Sequence, residues 1–193
     1  YSFSELRGRD PPAGFVGVVN GMGVQSLEHA GRDAAVFSFG HDLHCVYHAT
    51  HQGDGKLGFV QDVMRMKAVD GGSYNKTSHL LAQQIIDLLT ANPGKKFLQI
   101  ALSEGAAMCN GALRLLQQAC PHLLHRVCVM MVAPAYFLSP DSYFGVEAIN
   151  IVKLEDRTIL PFTTGASHIE SWSNVLVVPH KCVNDDPHNF HNV

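Results

Sequence analysis

Hydrophobic positions fall into short unbroken runs separated by stretches with helical spacing, and this alternation sets the expected order of elements. Residues 14–19 form a strand-type run that enters Asn20-Gly21-Met22-Gly23, where two glycines permit a sharp turn. Residues 25–32 predict a short helix with Leu27 and Ala30 facing inward, and residues 34–39 a second apolar strand, completing one β-α-β unit. From 40 to 72 the pattern is mixed: Gly53, Gly55 and Gly58 interrupt it, and residues 57–69 carry a weak helical period. Leu81, Ile85, Leu88 and Leu89 then recur at helical spacing, with Thr77 or Ser78 as the cap and Asn92-Pro93-Gly94 as the stop.

The second half is more regular. Residues 97–102 predict a buried strand broken only by Gln99, and Ala106, Cys109, Ala112, Leu113, Leu116 and Ala119 form the apolar stripe of the helix after it. Further apolar strands are expected at 127–132, 148–152 and 174–178. Continuous apolar strands alternating with amphipathic helices predict an α/β fold: a three-layer sandwich whose mainly parallel sheet carries helices on both faces. The length, 193 residues, suits a single domain able to bury a sizeable core. The chain begins at Tyr1 without a methionine and ends after a polar run, and is read as a fragment of a longer protein.

Composition narrows the function classes. Apolar residues make up 46% and charged residues 16%, the balance of a folded domain rather than a solvated segment. The net charge of −3 and the lack of any basic run argue against a nucleic-acid partner. No apolar stretch is long enough for a membrane span, and the N-terminus lacks a signal-peptide pattern. Cysteines at 45, 109, 120, 128 and 182 are odd in number and without paired spacing, as expected of reduced thiols in a cytosol-like compartment. No dinucleotide or P-loop glycine fingerprint is present, and no cofactor is expected.

The chemistry centres on Ala101-Leu102-Ser103-Glu104-Gly105-Ala106. A serine on a tight strand-to-helix turn needs small neighbours two before and two after it, which Ala101 and Gly105 supply. The turn also brings the backbone N–H of Glu104 to a helix N-terminus, where it can stabilise an oxyanion. The plainer reading is a serine that caps a helix. With A-x-S-x-G in this place, the sequence resembles the α/β-hydrolase fold, whose nucleophile elbow is usually written G-x-S-x-G.

The resemblance implies an acid past a later strand and a histidine after the last one. Asp156, in a stretch similar to the D-x-x-x-P loop of lipase-type hydrolases, is the expected acid, with Glu155 and Asp141 as rivals. His188, in Asp186-Pro187-His188-Asn189-Phe190, is the expected base, ahead of His180; His168 fits the order less well. A second oxyanion donor is expected from the backbone of Met22 or Gly21. Tyr136, Phe137, Tyr143 and Phe144 are candidate pocket aromatics.

Histidines 41, 44, 48 and 51, with Cys45 nearby, would share one face of a helix and could suit zinc. Gly40 and Gly53 leave little room for such a helix, so the segment is read as a histidine-rich loop near the site with no metal. A narrower resemblance rests on Val19-Asn20-Gly21-Met22, Tyr47-His48-Ala49-Thr50-His51, Phe59-Val60-Gln61-Asp62-Val63, the serine turn and the closing Asp-Pro-His-Asn-Phe. In this order the motifs look like uncharacterised α/β-hydrolase-like proteins of the chlamydiae, although His48 stands where those usually have asparagine. That resemblance implies a bacterial protein of the bacterial cytosol or, if a secreted effector, of a host cell, with room for a host protein partner. It names no substrate.

The expected function is therefore a serine hydrolase of esterase, lipase or thioesterase type, working through an acyl-enzyme on Ser103 with a small-molecule or acyl substrate. The alternative is a hydrolase-like scaffold that binds without catalysis.

Overall fold

The computed structural model describes residues 14–21, 24, 26–37, 43–48, 55–70, 72–152 and 173–178. The elements run β1 (Phe15–Val19), α1 (Leu27–Ala35), β2 (Leu43–Val46), α2 (Gly55–Asp70), α3 (Lys76–Ala91), β3 (Phe97–Leu102), α4 (Gly105–Ala119), a 3-10 turn at Pro121–Arg126, β4 (Val127–Val132), β5 (Glu147–Val152) and β6 (Val175–Val177). The six strands form one sheet in the order β2-β1-β3-β4-β5-β6, and every pairing is parallel. This is the α/β three-layer arrangement that the alternation predicts.

Side-chain alternation divides the sheet between two cores. Phe15, Val19, Phe97, Ala101, Val129 and Met131 point to the face covered by α2, α3 and α4, whose Met66, Leu81, Ile85, Leu89, Leu113 and Leu116 complete the larger core. Val16, Val18 and Ile100 point to the other face, where Ala34 of α1 packs against them. Helix α4 has unbroken burial from Gly105 to Leu113, as a helix wedged between the sheet and its neighbours must. Each large apolar side chain so buried contributes about 1.5–3 kcal/mol.

Four local expectations are corrected. Residues 34–35 end α1 instead of opening a strand; the second strand is β2, Leu43–Val46, which joins β1 through the register Val16 to Leu43. The alanines at 34 and 35 are helix formers, and the helical period puts Ala30 and Ala34, four apart, on the buried face. Leu27, although it shares that face by period, opens the helix at its first position and is 61% exposed, and Ser26 caps the helix by accepting from the His29 N–H at 3.1 Å. Asn75, rather than Thr77 or Ser78, caps α3, accepting from the Ser78 N–H at 2.8 Å. Finally, Phe137 and Tyr143 are core side chains and Phe144 is 96% exposed, so these three are not pocket aromatics.

No helix among the described residues is long and apolar enough to cross a membrane.

Candidate active site

The order of the strands creates a single reversal point. From β1 the chain goes outward to β2 and then returns past β1 to β3, after which it continues the other way through β4, β5 and β6. In open parallel sheets such a reversal leaves a crevice beyond the carboxyl ends of the two central strands, here β1 and β3. The residues at those ends are Asn20-Gly21 and Ser103-Glu104.

Ser103 occupies the turn between β3 and α4 with φ of 50°, a left-handed conformation that costs a non-glycine residue roughly 1–2 kcal/mol. Three backbone hydrogen bonds hold it there. Its N–H donates to the Val132 carbonyl at 2.9 Å, and its carbonyl accepts from Ala106 at 3.1 Å and from Ala135 at 3.0 Å. A second left-handed residue, Ala133 with φ of 44°, ends the adjacent strand β4 and donates its N–H to Ile151 at 2.9 Å. Two strained residues thus sit side by side at one edge of the sheet. Sequence inspection finds the first from its small neighbours, but nothing around Ala133 signals the second.

The reason for the small neighbours is visible in the packing. A Cβ on Gly105 would lie 2.7 Å from the Asn20 carbonyl oxygen and 2.8 Å from that of Val19, so the first turn of α4 runs directly against the end of β1. A Cβ on Gly21 would lie 2.7 Å from Ser103 Cβ and 3.4 Å from its Oγ. Gly21 and Ser103 are therefore in contact across the crevice. The N-terminus of α4 begins at the same place, and the positive end of its dipole favours negative charge there. Ser103 thus lies between a helix N-terminus and a second loop backbone.

Behind the serine lies a buried polar group that sequence reasoning missed. Glu104 is wholly buried, and His48 Nε2 approaches its Oε1 at 3.3 Å, an ion-pair distance not aligned as a hydrogen bond. Among the described residues neither Glu104 oxygen nor His48 Nε2 has a hydrogen-bond partner. The other ring nitrogen, Nδ1, lies 2.8 Å from Thr77 Oγ1. Asn20 clamps the His48 backbone from β1: its Oδ1 accepts from the His48 N–H at 2.6 Å and its Nδ2 donates to the His48 carbonyl at 2.9 Å. The clue available in the sequence was an acidic residue inside an otherwise apolar segment; its partner, in a different motif, left no such mark.

Of the remaining site residues read from sequence, Met22, Asp156 and His188 lie outside the described residues, as do Glu155, His168 and His180. Asp141 is exposed in the turn where Ser142 donates to the Ser139 carbonyl. His44 lies within β2, its ring edge-on to Phe15 at 5.5 Å, and His48 lies beyond the strand end, so the two do not share a helix face. His41 and His51 are outside the described residues. Among the described residues no group of three or more His, Cys, Asp or Glu is placed to hold a metal ion.

Cys109, on α4, is a poor rival nucleophile: burial pushes its thiol from 9.0 up to about 12, so it stays protonated near neutrality. Burial likewise raises Tyr143, with Tyr136 adding to the shift, and its hydroxyl donates to Asn110 Oδ1 at 2.6 Å, tying the segment between β4 and β5 to α4. Asn150 secures the other side of that segment, accepting from the Leu138 N–H at 3.1 Å and donating to its carbonyl at 2.9 Å.

No family model, curated protein or solved structure matches this chain.

Proposed function

We propose that this protein is a serine hydrolase of the α/β-hydrolase type, acting on acyl substrates through an acyl-enzyme on Ser103. The observation that carries the reading is the left-handed backbone of Ser103 at the crevice between β1 and β3. An ordinary helix-capping serine takes extended backbone angles, as Ser26 does with φ of −158°, and needs no such strain. Strain of this kind persists only where the surrounding structure enforces it, and it clusters at reactive sites.

In the proposed reaction His188 takes the proton from Ser103 as the hydroxyl attacks the acyl carbonyl, and Asp156 holds the imidazole in the required tautomer. The N–H groups of Glu104 and of Gly21 or Met22 stabilise the oxyanion; His188 then returns the proton to the leaving group. Water, deprotonated by the same histidine, releases the acyl group. Topology supports this assignment. All the strands among the described residues are parallel, so the chain leaves β5 at Val152, shortly before Asp156, and β6 at Val177, before His188, at the same end of the sheet that carries Ser103. The bacterial origin and host-cell setting suggested by the motif resemblance belong to this proposal as well.

The test is labelling of the folded protein with a fluorophosphonate probe. Labelling is expected in the wild type, none in Ser103→Ala, and a rate at least about a hundredfold lower in His188→Ala. A folded wild-type protein that does not label would overturn the hydrolase reading in favour of a binding scaffold.

A further inference from the structure

The polar contacts around Ser103 close on themselves. Ser103 is bonded to Glu104; Glu104 meets His48 at 3.3 Å; Asn20 holds the His48 backbone at 2.6 and 2.9 Å; Asn20 is bonded to Gly21 and donates to its carbonyl at 2.9 Å; and Gly21 packs on Ser103. The ring links the ends of β1, β2 and β3, and Thr77 joins α3 to it through His48 Nδ1. Its members Asn20, His48, Ser103 and Glu104 are all buried. A buried acid side chain beside an imidazole is a costly way to gain stability, because taking both polar groups out of water offsets most of their attraction, and an apolar pair of the same volume would serve the core as well. What this polar pair supplies is a fixed geometry.

We infer that His48 and Glu104 are positioning residues that set the distance between the two backbone segments offering oxyanion donors, the first turn of α4 and the Asn20-Gly21 turn. The inference rests on the serine-hydrolase reading and adds a device to it. The two donor segments belong to different elements, and the covalent chain between them is long, so nothing local holds them in register. The pair fastens the Glu104 side chain to the end of β2, and Asn20 passes that constraint to Gly21. Stabilisation of an oxyanion depends steeply on donor placement, so a small shift of either segment lowers the rate of the covalent step while leaving the crevice able to admit the probe.

The test measures kinact and KI for the fluorophosphonate separately in Glu104→Gln, His48→Asn and the double variant. Glutamine keeps the shape and the backbone N–H of residue 104 but replaces the acid oxygen that faces His48. Asparagine places an amide where Nδ1 faces Thr77 and withdraws the group that faces Glu104. The double variant removes both members of the pair, so neither is left in the core without the other, and it reports even where a single variant folds poorly. Each single change is expected to lower kinact about 10- to 100-fold with KI within about twofold, and the double variant to be no slower than the slower single one. A general loosening of the fold would instead move KI and the fraction of protein labelled at saturation.

If kinact stays within about twofold of wild type in both single variants, or if their effects multiply in the double variant, the positioning role is overturned while the hydrolase reading stands. If the wild type itself does not label, the hydrolase reading falls and this role falls with it.

Discussion

At the amino end of β3 the chain is held by bonds that satisfy every partner named. Arg126, just before β4, donates through Nε to the Lys95 carbonyl at 2.9 Å, through Nη1 to Leu89 at 3.0 Å and through Nη2 to Asn92 at 2.6 Å, closing the carbonyl end of α3. The Phe15 N–H donates to Lys96 at 3.0 Å, and the Lys95 ammonium lies 5.6 Å from the Phe15 ring. At the carboxyl end of the same strand the design is reversed: a left-handed serine, a buried glutamate without a hydrogen-bond partner among the described residues, and a glycine pressed against the serine. One end serves the stability of the fold. The other holds backbone strain and buried polar groups in place, features that the stability of the fold does not call for.

This contrast is most forcefully broken at Gly105. Gly105→Ala drives a methyl group into two backbone carbonyls of β1, which cannot move aside as a side chain would. The expected outcome is a loss of about 3 kcal/mol in chemical unfolding together with loss of probe labelling, because the elbow and the oxyanion turn are pushed apart. At the opposite end, Arg126→Met leaves the Leu89, Asn92 and Lys95 carbonyls without their charged donor. A loss of about 2 kcal/mol is expected, with the labelling rate of the folded fraction unchanged. Equal damage to labelling in both variants would show that the two ends are not separable.

The smallest effect is the most informative in sign. Ser103→Gly removes the cost of the left-handed conformation and is expected to raise stability by about 1 kcal/mol while abolishing labelling. Ser103→Ala keeps a Cβ in the same backbone conformation and should abolish labelling without that gain. A glycine variant less stable than the alanine variant would mean that Ser103 carries no strain.

The elements whose information is local were legible from the pattern of residues. Strands β3 and β4 occupy the expected positions, 97–102 and 127–132, and α4 differs by one residue, because long apolar runs and a clear helical period leave little choice. The turn at Ser103 was equally readable, since its steric demand falls on Ala101 and Gly105, within two residues of it. Errors arose where the signal was short. Val36 and Phe37 suggested a strand, but the alanines before them extend the helix, and β2 forms instead from Leu43–Val46, whose histidine and cysteine disguise a half-buried edge strand.

Ser103 belonged to the sequence because a strained turn is a property of adjacent residues. The pairing of His48 with Glu104, and the clamp of Asn20 on His48 across 28 positions, belonged to the tertiary structure. Hydrophobic periodicity specifies which face of an element is buried, whereas contact between distant polar groups depends on strand order and register. Those follow from packing the whole sheet: only when β2 and β3 flank β1, all running the same way, do the ends of the three strands bring His48, Asn20 and Glu104 together.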